Sequence, residues 1–116
     1  ALTWCDEAGA DALLARARGA VRRLTDALRQ LEEFTLYGAP PATGVPVLSL
    51  CHARYDPLEL AAILSSAGVH ARAGFHCAPW IHEHLGTHAA GTLRLSPGPA
   101  TTNGEIDAVV EILASL

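Results

Sequence analysis

Apolar residues recur every three or four positions through the first third of the chain, the spacing of one face of an α-helix. The pattern runs from Asp6 to about Glu33 and predicts one long amphipathic helix. Gly9 and Gly19 each weaken a helix by about 1 kcal/mol relative to alanine, so we expect the first turns to be frayed or separate. The apolar stripe consists of Ala10, Leu13, Leu14, Ala17, Val21, Leu24, Leu28 and Leu31.

Four short segments have the alternation or the β-branched and aromatic content of strands. In the last of them, Leu93 and Leu95 are predicted to face the core, and Arg94 then projects from the opposite face. Gly74 is expected to break the third strand after Ala73, and a loop is predicted at 38–44 from its glycines and prolines. The four segments are 34–37, 45–51, 69–73 and 92–96.

Two further helices are marked by capping boxes, in which the N-cap side chain and a glutamate three residues later bond each other's backbone N–H groups. Asp56 with Glu59 begins one helix, and Thr102 with Glu105 begins the last. One or two helical turns are also expected at 78–85. The predicted order is helix, strand, strand, helix, strand, loop, strand, helix.

Strands this short, with helices at both ends, favour a small sheet covered by helices on one face. We therefore predict an α+β two-layer fold with a mostly antiparallel sheet, formed as a single domain over residues 1–116. The composition agrees, because a chain of 116 residues that is 50% apolar can bury one modest core.

Charge and cysteine content restrict the possible partners. A net charge of -4 argues against a nucleic-acid surface, which needs clustered basic residues. No apolar run reaches transmembrane length, and no signal peptide is evident. Cys5, Cys51 and Cys77 are too few and too far apart for a disulfide framework. We therefore expect a cytoplasmic protein whose partner is a protein or a small molecule, with no nucleic acid and no membrane.

All eight basic residues are arginines, so the chain contains no lysine. A Schiff base with a lysine is therefore impossible on these residues alone. The sequence also begins with Ala1 rather than methionine, which leads us to expect one domain of a longer polypeptide.

Arg94 and Cys77 are the main candidates for chemistry. Arg94, on the polar face of a strand, can hold a carboxylate through two parallel hydrogen bonds; a surface salt bridge is the alternative. Cys77 follows His76 in a Gly-Phe-His-Cys-Ala-Pro turn, which favours an exposed thiol, and a nearby cation such as Arg72 favours its thiolate. A buried, inert Cys77 is the alternative. The two segments predict a site for a small anion beside a thiol nucleophile.

The histidines after Cys77 also permit a zinc site, because Cys77, His82, His84 and His88 lie close together in the sequence. Their spacing matches no recognised zinc finger, and no Cys-x-x-Cys pair supports the site. We therefore expect no metal.

Several motifs resemble the C-terminal region of cysteine desulfurases of the class V aminotransferase fold. They occur in the family's order and cover nearly the whole chain. The resemblance implies the small domain of a fold-type I homodimer that depends on pyridoxal 5'-phosphate, takes sulfur from cysteine and releases alanine. The motifs are Tyr37-Gly38 with Pro40, Asp56-Pro57 before a helix, 68–79, Leu85-Gly86-Thr87, 91–98, and Thr102 with 105–107.

Carried over residue by residue, the resemblance implies that Arg94 holds the carboxylate of a cysteine-like amino-acid substrate. Cys77 is then the thiolate that attacks the substrate sulfur and becomes a persulfide, which a sulfur-acceptor protein receives. Arg72 and His76 match the motif before this cysteine and are expected to shape the loop and activate the thiol. The large domain, with the cofactor and its Schiff-base lysine, is absent here, so the chain alone is expected to bind no cofactor and to be inactive.

The chain departs from the family pattern in three places. Residues 99–101 are Pro-Ala-Thr where the family commonly has an aromatic residue and an asparagine, Gly104 replaces an acidic residue, and Trp80 replaces a smaller aliphatic one. The substrate, whether cysteine, selenocysteine or another amino acid, therefore stays open. A stand-alone sulfur-carrier or protein-binding module that uses Cys77 is the alternative function.

Overall fold

The structure is a computed structural model that describes residues 2–38 and 42–116. Its helices are α1 (Leu2–Ala8), α2 (Ala10–Leu28), α3 (Pro57–Ser66), α4 (Pro79–Leu85) and α5 (Asn103–Ala114). Its strands are β1 (Phe34–Tyr37), β2 (Leu48–His52), β3 (Arg72–Gly74) and β4 (Thr92–Leu95). They form one sheet in the order β1-β2-β4-β3, and every neighbouring pair is antiparallel. The predicted α+β fold is confirmed.

The core lies on one face of this sheet. Leu48 and Leu50 of β2, with Leu93 and Leu95 of β4, are at most 5% exposed because alternate strand residues point to the same side. Burying each such leucine stabilises the fold by about 1.5–3 kcal/mol. The helices α2, α3 and α5 cover these leucines with Ala20, Val21, Leu24, Leu28, Leu60, Leu64, Ile106, Val109 and Leu113.

The first turns form a separate helix, as expected, but helical structure begins at Leu2 rather than Asp6 and ends earlier than predicted. Gly9 separates α1 from α2 with a φ of 79°, which glycine adopts without strain. The predicted end near Glu33 is wrong, because α2 stops at Leu28. The N–H of Phe34 then bonds the carbonyl of Leu31 in a turn that leads into β1.

The second strand begins three residues later than predicted. Pro46 has no N–H to give to a strand neighbour, and the N–H of Val47 bonds the carbonyl of Val45 in a local turn at 2.8 Å. The strand pairing therefore starts at Leu48 and continues through His52. The loop predicted before it, at 38–44, includes residues 39–41, which lie outside the described part of the chain.

The third strand is displaced from the predicted 69–73 to Arg72–Gly74. The N–H of Val69 bonds the carbonyl of Leu64 and so closes the end of α3 instead of pairing in the sheet. Gly74 does not break the strand: it is the last paired residue, opposite Thr92.

The two helix starts predicted from capping boxes are confirmed. Asp56 and Thr102 are the N-caps of α3 and α5, and each forms the predicted capping box with its glutamate, Glu59 and Glu105. The helical turns expected at 78–85 form α4. None of the helices in the described ranges has the length and apolar character needed to cross a membrane.

Candidate active site

The face of the sheet opposite the core carries one polar side chain from each strand. The register pairs Tyr37 with Ser49, Ser49 with Arg94, and Arg94 with Arg72. Directly paired residues of antiparallel strands project to the same side of the sheet. Because the leucines that flank Ser49 and Arg94 face the core, this polar row lies on the other face.

A cavity of about 260 Å³ lies between the polar row and α4. Tyr37, Ser49 and Arg94 line it from the sheet, and Ile81 and Leu85 line it from the helix. The space is on the scale of an amino acid, and a concave site with apolar walls and a few polar groups is the usual form of a small-molecule site.

Two polar atoms in this cavity have no hydrogen-bond partner among the described residues. They are Nε of Arg94 and Oγ1 of Thr92, both buried from solvent. Leaving a buried polar group unpaired costs about 1–3 kcal/mol, and more when the group is charged. Arg72 stands directly opposite Arg94, and like charges in that position repel. A bound anion would satisfy the Arg94 donor and reduce this repulsion.

A strained turn borders the cavity. The N–H of Ala78 bonds the carbonyl of Phe75 at 2.9 Å, and the two residues between them, His76 and Cys77, have φ values of 52° and 60°. Positive φ at both central positions is the pattern of a type I′ turn, which glycine and asparagine usually occupy. For other residues this conformation costs about 1–2 kcal/mol each. The turn displays Cys77 at the surface, where its side chain is exposed.

His76 lines the cavity and is held by its Nε2, which donates to the carbonyl of Thr92 at 3.1 Å. Burial lowers the pKa of His76; the charges of Arg94 and Arg72 lower it further, while the bond to Thr92 raises it. The imidazole is therefore neutral near pH 7, and Nδ1 keeps a lone pair that can accept a proton.

The structure brings the predicted site residues together to different degrees. Arg94 and His76 line the same cavity. Cys77 does not itself line the cavity, but its chain neighbours His76 and Ala78 do, and we infer that the exposed Cys77 lies at the rim. Arg72 is exposed beside Arg94 and does not line the cavity.

Tyr37, Ser49 and Thr92 were not predicted as site residues. Ser49 alternates with two leucines, as Arg94 does, but its place beside Arg94 depends on the strand pairing, which the sequence does not specify. Burial, followed by the nearby Cys51, raises the pKa of Tyr37, so its phenol stays protonated and can donate a hydrogen bond.

His82 was considered only as a zinc ligand. In the structure, Nε2 of His82 donates to the carbonyl of Phe75, and Nδ1 lies 2.8 Å from Oγ1 of Thr87. Both ring nitrogens are therefore engaged by protein atoms. Within residues 2–38 and 42–116, no three His, Cys, Asp or Glu side chains are grouped so that they could hold a metal ion.

The other two thiols differ from Cys77. Burial raises the pKa of Cys51, and its Sγ lies 3.6 Å from the carbonyl oxygen of Gly91. Cys5 is partly buried in α1. Of the three cysteines, only Cys77 is exposed.

Comparison with known proteins shows the family of this chain. The model of the family "Aminotransferase class-V" matches residues 1–109. The chain belongs to this family. It is 30% identical over 110 residues to a probable cysteine desulfurase of Halobacterium salinarum, covering 95% of this chain and 26% of that protein. It is 33% identical over 85 residues to a cysteine desulfurase of Pectobacterium carotovorum subsp. carotovorum, covering 73% of this chain and 20% of that protein.

Solved structures of cysteine desulfurases contain the same fold. The apo enzyme from Thermococcus onnurineus NA1 matches with a TM-score of 0.91 and 24% identity over 97% of this chain and 28% of its own. The enzyme CsdA of Escherichia coli, in its S-sulfonic acid form, matches with a TM-score of 0.89 and 24% identity over 98% of this chain and 27% of its own. The chain thus spans between a fifth and just over a quarter of the length of these relatives. The predicted family is confirmed.

Proposed function

We propose that this chain is the C-terminal small domain of a cysteine desulfurase that depends on pyridoxal phosphate. In this proposal the chain supplies the substrate carboxylate site and the sulfur-accepting thiol. The observation that carries it is the buried Nε of Arg94, which has no hydrogen-bond partner in residues 2–38 and 42–116 and lies in a cavity with the exposed Cys77 at its rim. The similarity to cysteine desulfurases supports the same function.

Arg94 binds the α-carboxylate of the amino-acid substrate. A guanidinium group binds a carboxylate through two parallel N–H donors, and a charge-assisted pair of this kind is strong in a partly buried site. Tyr37, Ser49 and Thr92 present further hydroxyl groups to the same cavity. Arg72, next to Arg94 across the strands, adds positive charge at its edge.

Cys77 takes the sulfur. Its thiolate attacks the sulfur of the bound cysteine, so that a new S–S bond forms while the C–S bond of the substrate breaks. The electron pair of the broken bond stays on the carbon side, which is then protonated and released as alanine. Cys77 is left as a persulfide, and its exposure suits delivery of that sulfur to a sulfur-acceptor protein.

His76 assists as a proton acceptor. The bond from Nε2 to the Thr92 carbonyl fixes the ring, and the lowered pKa keeps Nδ1 unprotonated near pH 7. A neutral imidazole beside a thiol can remove its proton and so favour the reactive thiolate.

In this proposal the cofactor lies beside this chain and is not covalently bound to it. When bound, pyridoxal phosphate supplies the electron sink that makes cleavage at an amino acid possible. The chain has no lysine, so the Schiff base has to come from residues other than these 116. A homodimer and a cytoplasmic location remain predictions from the resemblance and from the composition.

Alanine release from cysteine by the complete polypeptide tests this function. The Cys77→Ser variant is expected to lose alanine release while the cofactor absorbance is unchanged, because the thiol does not hold the cofactor. Cys5→Ser, in a helix remote from the cavity, is the matched control and should keep full activity. A fully active Cys77→Ser variant would contradict the role of Cys77. A complete sequence that contains no lysine-bearing cofactor site would instead favour the sulfur-carrier module.

A further inference from the structure

A buried histidine that the proposed chemistry does not use contacts the turn that carries Cys77. His82 of α4 is only 3% exposed. Its Nε2 donates to the carbonyl of Phe75 at 3.1 Å, and the ring of Phe75 packs edge-on against the imidazole with 5.4 Å between centroids. The first residue of the Phe75–Ala78 turn is therefore fixed through both its backbone and its side chain.

The carbonyl of Phe75 accepts two hydrogen bonds. One comes from the N–H of Ala78 and closes the turn, and the other comes from His82. The two residues enclosed by the turn, His76 and Cys77, are in the costly left-handed region. Such conformations persist only where the surroundings hold them. The bond from His82 keeps the Phe75 carbonyl oriented toward Ala78 and so opposes relaxation of the turn.

His82 is itself anchored to the strand that bears Arg94. Its Nδ1 lies 2.8 Å from Oγ1 of Thr87, and the N–H of Thr87 bonds the carbonyl of His82 at 2.8 Å. The carbonyl of Thr87 in turn accepts from the N–H of Gly91 at 2.8 Å, one residue before β4. A continuous set of bonds thus connects the Cys77 turn to β4.

We propose that His82, together with Thr87, is a positioning residue that holds the Phe75–Ala78 turn so that the Cys77 thiol stays at the rim of the Arg94 cavity. The inference rests on the proposed function, because Cys77 is taken as the reacting group. His82 itself does not contact the reacting atoms in this proposal.

The test compares three variants in the complete polypeptide. His82→Leu removes the bond to Phe75, His82→Gln can still donate to it, and His84→Leu is an exposed control on the same helix. We expect His82→Leu to lower kcat for alanine release by about five- to tenfold, the effect of one neutral hydrogen bond. KM should change much less than kcat, because Arg94, which binds the substrate carboxylate in this proposal, is not bonded to His82, although both residues line the cavity. His82→Gln should recover most of kcat, and His84→Leu should match the wild type.

Amide hydrogen exchange at residues 75–78 provides a readout that is independent of activity. We expect faster exchange at these amides in His82→Leu and near-normal exchange in His82→Gln. If His82→Leu does not fold, Thr87→Val, which removes the anchor with little change in volume, is expected to produce the same kcat and exchange effects.

Unchanged kcat and exchange in His82→Leu and Thr87→Val would overturn the inference. A fall in kcat that comes with an equally large rise in KM and a lower thermal stability, without recovery by His82→Gln, would also overturn it. His82 would then support only the fold. If even the wild type releases no alanine, the proposed function fails, and the exchange at 75–78 alone decides whether His82 positions the turn.

Discussion

At the scale of single residues, the candidate site contains groups that lower the stability of the free protein. Arg94 has a buried donor without a partner in the described part of the chain, and His76 and Cys77 adopt left-handed backbone conformations. Strain and unpaired polar groups of this kind are concentrated at functional sites. A ligand that pairs with Arg94 recovers part of the cost as binding energy, which is why Arg94 is the group we expect to dominate recognition of the substrate carboxylate.

Replacing Arg94 by alanine tests this recognition in the complete polypeptide. A hydrogen bond to a charged group contributes about 1.5–3 kcal/mol, so KM for cysteine is expected to rise by at least about tenfold. Steady-state kinetics measure the change. Arg23→Ala is the matched control, because Arg23 forms an exposed salt bridge with Asp107 between α2 and α5, and its KM should equal that of the wild type. Unchanged KM and kcat in Arg94→Ala would remove Arg94 from the site.

His76 leads to a prediction about pH. Because folding lowers the pKa of His76 below its usual value of 6.5, the unfolded state binds more protons than the folded state as the pH falls through that value. Stability is therefore full above the unfolded pKa and declines below it. In urea denaturation between about pH 7 and pH 5, His76→Gln is expected to show a smaller decline than the wild type. If the free energy of unfolding declines equally with pH in both proteins, His76 does not contribute to this pH dependence.

The sequence predicted part of these residue-level features. Strand alternation predicted that Arg94 projects away from the core, and the composition of the turn predicted that Cys77 is exposed; both agree with the structure. The left-handed conformations were not predicted, because His76 and Cys77 are not residue types that mark such turns. The bonding role of His82 was not predicted, because a sequence alone does not distinguish a buried, fully hydrogen-bonded histidine from a metal ligand.

At the scale of secondary-structure elements, Gly91, the residue before β4, packs very closely against Gly74 at the end of β3. A Cβ built on Gly91 would clash with the backbone carbonyl of Gly74. Gly91 also has a φ of 77°, which is unfavourable for any other residue. Only glycine fits here, and the contact sets the position of β4, which carries Thr92 and Arg94, relative to the edge strand.

A pair of glycine substitutions measures the effect of this contact. Gly68→Ala has the same conformational cost, with a φ of 78°, but its Cβ meets open space. We expect Gly68→Ala to lower the free energy of unfolding by about 1–2 kcal/mol. Gly91→Ala should lower it by about 1–3 kcal/mol more, because backbone atoms have to move. Urea denaturation of both variants provides the comparison, and equal losses would show that the contact between β3 and β4 is unimportant.

Helix starts could be predicted more reliably than strand limits. Asp56 and Thr102 identify their helices through side chains that bond the first free N–H groups, a local effect visible in four residues. The limits of β2 and β3 depend instead on competing backbone bonds of Val47 and Val69. Those bonds arise from the tertiary path of the chain, so β-propensity alone placed both strands too early.

At the scale of the whole molecule, the hydrophobic core and the candidate site lie on opposite faces of the sheet. One face is sealed by α2, α3 and α5 around leucines, and the other presents Arg94 and the cavity beside α4. The sequence predicted the two-layer arrangement from the order of its elements, and its motifs predicted the family. It did not predict the cavity, because that depends on the position of α4 relative to the polar face.

In the proposed function, Cys77 receives sulfur from an amino acid bound at Arg94. Mass spectrometry of the complete polypeptide, after incubation with pyridoxal phosphate and cysteine, tests it most directly. We predict one additional sulfur atom on the peptide that contains Cys77 and none on the peptides that contain Cys5 or Cys51. Release of alanine with the sulfur on another cysteine, or with no sulfur bound to the protein, would contradict the claim.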